Sequence, residues 1–228
     1  MHRFRSERTG IPSDAGFLFP SPQLHLVVTP ERKSVEWLHV CRVVHPWLSV
    51  VHLRYKGQEF KQVLYWAGRL IHEAGVPREK LVINGSPRVA MELGVGVHLP
   101  EEGPAPGDIR ANFGHSTVIG CSVHSVTAAR RKAQEGADYL YFGHVFSTGS
   151  KPGKAPRGTV ALQAVCQSVD LPVIAIGGIS AANASTLATT GCAGVAVISA
   201  IATATSPETA AKKLNIRLGE AWGGIVDE

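Results

Sequence analysis

No run of about eighteen or more uninterrupted apolar residues occurs anywhere in the 228-residue chain, so no membrane-spanning helix is expected. The opening Met1-His2-Arg3-Phe4-Arg5 lacks an apolar stretch ahead of a small-residue cleavage site, which argues against a secretory leader and for a cytoplasmic location. Cysteine is scarce: Cys41, Cys121, Cys166 and Cys192 lie far apart with no Cys-x-x-Cys pair, which favours buried reduced thiols over a redox or zinc motif. His-x-His and His-Glu-x-x-His spacings are also missing, and no metal centre is expected. The first apolar run is followed by Thr29-Pro30-Glu31-Arg32 instead of Gly-x-Gly-x-x-Gly, which removes the dinucleotide fingerprint. An interleaved basic and aromatic stripe is absent as well. The net charge of +5 is modest and dispersed, and it fits small anionic substrates, with no nucleic-acid or membrane partner.

What the chain does contain is enough apolar residue, 44% against 18% charged, for one sizeable core. Residues 1–23 are rich in Arg, Ser, Gly and Pro without a helix or strand period, and they read as a flexible extension ahead of a catalytic domain spanning 24–228. From Leu24 onward eight short apolar runs recur: Leu24–Val28, Val50–Leu53, Leu81–Ile83, Val95–Leu99, Val118–Cys121, Tyr139–Phe142, Val173–Ile176 and Gly194–Ile198. Helix-period segments separate most of them. The clearest is the stripe Phe60, Val63, Leu64, Ala67, Leu70, Ile71 and Ala74, which stops at Gly75. Ser34, Ser125 and Ser206 are candidate N-caps, and Pro87 to Leu93 has room for a short helix only. Eight β-α alternations with near-continuous apolar strands predict a (β/α)8 TIM barrel, with a doubly wound open sheet as the runner-up.

In such a barrel the chemistry sits at the C-terminal ends of the strands, which singles out Arg54, Asn84, His98, Ser122, His124, His144, Gly177 and Ser199. Gly177-Gly178 and Ser199-Ala200 occupy the loops after strands seven and eight, where backbone N–H groups commonly hold a phosphate. Of the histidines, His52, His98, His124 and His144 fall at or near strand ends, while His2, His45, His72 and His115 read as loop or helix-surface residues. A single imidazole both removes and returns a proton near neutral pH, and His144, between Gly143 and Val145-Phe146, is the first candidate for that work. Arg54 and Lys56 after strand two, together with Lys151 in the loop after strand six, are expected to face substrate anions. Lys154 and Arg157 in that same loop read either as further anion contacts or as solvated charge.

Taken together, His52-Leu53-Arg54-Tyr55-Lys56, Leu81-Val82-Ile83-Asn84-Gly85, Gly96-Val97-His98-Leu99, Gly120-Cys121-Ser122-Val123-His124-Ser125, Gly143-His144-Val145-Phe146 and Ile176-Gly177-Gly178-Ile179 resemble the superfamily of thiamine phosphate synthases and TenI-type thiazole tautomerases. The resemblance runs from Leu24 to about Leu214 and implies a (β/α)8 barrel. Its synthase branch joins a pyrimidine diphosphate to a thiazole phosphate with Mg²⁺ held by acidic residues. This chain departs from that pattern: Gly85 stands where an aspartate is expected, Pro100-Glu101-Glu102-Gly103 replaces a glycine-glutamine-x-aspartate pattern, and His144 stands where proline is expected. At those same points it resembles the tautomerase branch. That likeness implies a cofactor-free isomerisation of a carboxythiazole phosphate to its aromatic form, with His144 as acid-base residue; Asn84, Ser122 and His124 are expected to bind the substrate, His124 or Ser122 positioning the ring. Mg²⁺-dependent synthesis and a non-catalytic thiazole or thiamine phosphate-binding role stand as alternatives. Self-association and a functional link to thiazole synthase stay open.

Overall fold

The computed structural model describes residues 22–33, 35–113 and 117–223. Eight parallel strands close into a barrel in sequence order: β1 Gln23–Val28, β2 Val50–Leu53, β3 Leu81–Asn84, β4 Gly96–Leu99, β5 Ile119–Val123, β6 Tyr139–Gly143, β7 Val173–Ile176 and β8 Gly194–Val197. Closure is made by β1 and β8, with Gln23 opposite Gly194 and Leu26 opposite Val197. The barrel, and not the open sheet, is therefore the architecture. It begins at Gln23; residues 1–21 of the expected extension lie outside the described residues.

The strands form from β-branched and leucine-rich runs buried on both faces, as parallel strands covered by helices must be. Their outward side chains meet a ring of helices. These are α1 Trp37–Val44, α2 Phe60–His72, α3 Pro87–Leu93, α4 Pro106–Phe113, α5 Val126–Gln134, α6 Gly158–Cys166, α7 Ser199–Ala202 and α8 Pro207–Gly223. A 3₁₀ run, Ala184–Thr190, replaces the helix between β7 and β8. Helix α2 buries Val63, Ala67 and Leu70 and starts in a reciprocal capping box between Glu59 and Gln62. Ser125 caps α5 as expected, its Oγ accepting from the Ala128 N–H at 3.1 Å. Ser206 Oγ does the same for the Thr209 N–H at the start of α8. Ser34 and His115 lie outside the described residues. Pro87 to Leu93 is the short helix that the spacing allowed.

All four cysteines are free; Cys41, Cys121 and Cys192 are buried, whereas Cys166 is only partly so. Burial pushes the Cys41 thiol up to about 12, which makes it inert packing material at neutral pH. Among the described residues no helix is long and apolar enough to cross a membrane.

Candidate active site

The barrel interior is polar at several levels. Strand β1 sends Gln23 and His25 inward, β2 His52, β4 His98, and β6 Tyr139 and Tyr141, all buried. A side chain on Gly120 would collide with the Tyr139 ring, so the strand beside Tyr139 gives up its Cβ to admit that ring. The polar atoms pair in sequence. His52 Nδ1 lies 2.8 Å from Asn84 Oδ1, and a carbonyl oxygen only accepts, so the proton is on Nδ1. The Nε2 lone pair of His52 then accepts from the Tyr141 hydroxyl at 2.6 Å, and the same hydroxyl oxygen lies 2.7 Å from His25 Nδ1. The other His25 nitrogen, Nε2, lies 2.8 Å from Gln23 Oε1. Beside this chain, His98 bridges the Tyr139 hydroxyl at 3.2 Å and Ser122 Oγ at 2.9 Å.

Removal from water disfavours charge on these rings. Burial holds the His52 imidazole down to about 4, and burial followed by the neighbouring rings holds His25 and His98 well below the ordinary range. These imidazoles are neutral hydrogen-bonding struts. His52, grouped in the sequence with the strand-end histidines, is thus a floor residue behind Asn84. His98 is 3% exposed, and only its edge borders the open space above.

Above this floor lies a cavity of about 890 Å³ at the C-terminal mouth of the barrel. It brings together ten of the eleven residues expected to carry the site. Arg54, Asn84, Ser122, His124, His144 and Lys151 line it, together with Gly177, Gly178, Ser199 and Ala200. Lys56 is the exception: it is exposed in the turn Lys56-Gly57 beyond β2 and does not line the cavity. Lys154 and Arg157 also stay outside the lining, and the backbone of both instead holds the loop, through the Lys154 carbonyl and the Arg157 N–H.

His144 stands one residue past the end of β6 and is 6% exposed; the Gly143–His144 peptide bond is cis. Its Nε2 lies 3.1 Å from the Lys154 carbonyl oxygen and so donates to it. In the neutral ring the lone pair is therefore on Nδ1, which is buried and meets no hydrogen-bond partner among the described residues. An unpaired buried nitrogen costs about 1–3 kcal/mol, a penalty that a ligand group placed against it relieves. The following backbone is fastened to β7: Val145 N–H donates to Ile176 O at 2.9 Å and Phe146 N–H to Gly177 O at 3.0 Å.

Gly177 and Gly178 both have positive φ, 102° and 68°. A Cβ on Gly177 would strike His144 Cβ, and one on Gly178 would strike the Ser147 carbonyl oxygen. The glycines are thus required by the packing of the His144 loop as well as by the turn, and the expected anion-binding backbone touches the expected proton carrier. Ser199 and Ala200 open α7, whose first amides have no intrahelical acceptor.

The mouth is cationic. Arg54 reaches only a long 3.9 Å contact with Glu31, both side chains being half-exposed, a pairing worth little in water. Burial, and then the positive charges of Arg157, Lys154 and Arg54, holds the Lys151 amine below its ordinary range. Such crowding of like charge is relieved by an anion. Arg32 Nη2 donates to Ser150 Oγ at 3.2 Å and ties the loop after β1 to the loop carrying Lys151.

Several lining residues were not singled out as site residues from the sequence: Thr29, whose buried Oγ1 has no partner among the described residues, Glu101, and Tyr141. Glu101 Oε2 lies 2.6 Å from His124 Nδ1, across the mouths of β4 and β5. The alternation of Gln23 and His25 with Leu24 and Leu26 was the one available signal for the polar floor.

A family model described as thiamine monophosphate synthase, TMP-TENI, matches residues 24–201. The chain belongs to this family. It is 32% identical over 199 residues to the thiamine-phosphate synthase of Chlorobium phaeobacteroides, covering 86% of this chain and 97% of that one. To the thiamine-phosphate synthase of Chlorobium luteolum it is 37% identical over 197 residues, with 86% and 92% covered. Among solved structures, the thiamine phosphate pyrophosphorylase from Pyrococcus furiosus superposes with a TM-score of 0.74 at 27% identity, covering 91% of this chain and 98% of that one. The 3-hexulose-6-phosphate synthase from Salmonella typhimurium, at 16% identity and a TM-score of 0.67, shares the fold alone.

Mg²⁺ takes hard oxygen ligands, usually one or two carboxylates along with substrate phosphates. In this member of the TMP-TENI family the donors do not fit it. Asn84 Oδ1 is taken by His52, the next residue is Gly85, and the Glu101 carboxylate is engaged by His124. Glu102 is 81% exposed with Arg131 at 3.6 Å. Among the described residues no group of three or more His, Cys, Asp or Glu is gathered to hold a metal ion.

Proposed function

We propose that this TMP-TENI family member is an isomerase that converts a non-aromatic carboxythiazole phosphate into its aromatic tautomer. Lying against the glycine turn, His144 lines the cavity and has one nitrogen fixed on a carbonyl and the other buried without a partner among the described residues. That juxtaposition carries the reading, because the reaction needs one movable proton within reach of an anchored phosphate. The backbone at Gly177, Gly178, Ser199 and Ala200 holds the phosphate, and Arg54 and Lys151 offset the carboxylate. His144 Nδ1 takes the proton from the ring carbon, and the electron pair enters the ring. The exocyclic double bond then accepts a proton at its outer carbon. Atoms and electrons balance without a redox partner.

The test follows isomerisation by absorbance in the presence of a chelator. His144→Ala is expected to lower turnover on the order of 10²–10⁴-fold with phosphate binding kept. An unchanged rate rejects His144 as the proton carrier.

The names of the relatives favour a second reading, Mg²⁺-dependent joining of a pyrimidine diphosphate to a thiazole phosphate. The missing carboxylates at Gly85 and Gly103 weigh against it. Thiamine phosphate formed under saturating Mg²⁺ would establish that reading.

A further inference from the structure

Strands β5 and β6 run side by side, with Val123 opposite Phe142 at their ends. His124 is the residue after Val123, and His144 is the second after Phe142. Two imidazoles therefore leave neighbouring strands one residue apart in level, and both line the cavity. Adjacent strands lie about 4.8 Å apart, which keeps the two residues on the same side of the mouth.

The two imidazoles are held differently. His144 is clamped, by its Nε2 on the Lys154 carbonyl and by its Cβ against Gly177. A ring so fixed presents Nδ1 to one place. The isomerisation breaks a bond at a ring carbon and makes one at an exocyclic carbon on the far side of the same five-membered ring. His124 supplies what the clamped residue lacks. Its Nδ1–H is taken by Glu101 Oε2 at 2.6 Å, and no protein group among the described residues meets its Nε2. The Glu101 carboxylate fixes the ring and balances its positive charge whenever both nitrogens are protonated.

We infer that His124 is the second proton-transferring residue of this site, delivering a proton from Nε2 to the exocyclic carbon, with Glu101 as its positioning residue. The inference rests on the isomerase reading and deepens it. His144 Nδ1 accepts the proton from the ring carbon as that C–H bond breaks. The freed pair becomes part of the aromatic ring, and the exocyclic π pair takes the proton from His124 Nε2–H. Each turnover leaves His144 protonated and His124 neutral, and exchange with water at the open mouth resets both.

The experiment uses the full chain and substrate deuterated at the ring carbon, in H₂O, with the product read by mass spectrometry. With two residues at work the product carries a solvent proton on the exocyclic carbon in every turnover and none of the substrate's deuterium. His124→Gln is expected to lower kcat on the order of 10²–10⁴-fold with KM nearly kept. Glu101→Gln is expected to lower kcat by about tenfold, also with KM kept, since it loosens the ring without removing it. Deuterium carried to the exocyclic carbon by wild-type protein, or a wild-type rate in His124→Gln, overturns the inference and leaves the isomerase reading standing. A wild-type chain that does not isomerise the substrate overturns both. Should His124→Gln not fold, Glu101→Gln and the wild-type isotope result decide.

Discussion

Imidazoles occur at two depths in this barrel, and the same side chain serves opposite ends at each. On the floor, His25, His52 and His98 are buried and spend their nitrogens on Tyr139, Tyr141, Asn84, Ser122 and Gln23. At the rim, His124 and His144 each keep one nitrogen without a protein partner among the described residues. On the proposed reading, what separates structure from chemistry here is therefore whether a nitrogen is left unspent on a residue that lines the cavity. Residue type and fold position alone do not separate them. A floor histidine that loses a partner unsettles the core, whereas the more exposed rim residue His124 is removed at smaller structural cost.

The sharpest break in that comparison is in activity. His144→Ala, at the rim, is expected to cost on the order of 10²–10⁴-fold in isomerisation against about 1–3 kcal/mol of stability lost with its bond to the Lys154 carbonyl, measured by rate assays and urea unfolding curves on the same preparation. Next comes acid. The folded floor rings hold their imidazoles below the unfolded value near 6.5, so the unfolded chain binds more protons as pH falls. Their stabilising contribution is complete above about pH 6.5 and is lost as pH drops from there toward 4. For His52, held at about 4, the loss is on the order of 3 kcal/mol, read from urea unfolding at a series of pH values. A stability flat across that window would show that the floor rings accept protons freely.

Smaller again is Tyr139→Phe. It deletes only the hydroxyl that meets His98 Nδ1 and leaves a buried nitrogen unpaired, for an expected loss of about 1–3 kcal/mol. Ser125→Ala, which removes the cap of α5 beside the rim, is expected to cost about 1 kcal/mol by thermal or urea unfolding.

The strands and most helices were legible because parallel barrel strands are continuous apolar runs and the helices carry caps and a 3.6-residue stripe. The rim was legible where a residue directly follows a strand: His144, His124, Arg54 and the Gly177-Gly178 turn reach the cavity because strand direction alone puts them there. Lys56 went astray because it lies two residues beyond that point, in the exposed turn that it forms with Gly57. His52 was misplaced for a related reason, since an inward side chain one residue before a strand's end points into the floor. The pairing of Glu101 with His124 joins residues 23 apart on different loops, and no spacing in the chain announces it. Nor was His25 noticed, because a lone polar residue within an apolar run shows its direction only when the barrel closes around it.

The central claim is that the rim performs a metal-free proton shift with His144 as its base. It is tested most directly by adding the carboxythiazole phosphate to wild-type and His144→Ala protein in excess chelator and following ring aromatisation by absorbance. Rapid conversion by the wild type and a loss of at least about a hundredfold in the variant are the predicted result. No conversion by the wild type, with thiamine phosphate appearing only when Mg²⁺ and the pyrimidine diphosphate are supplied, would contradict it.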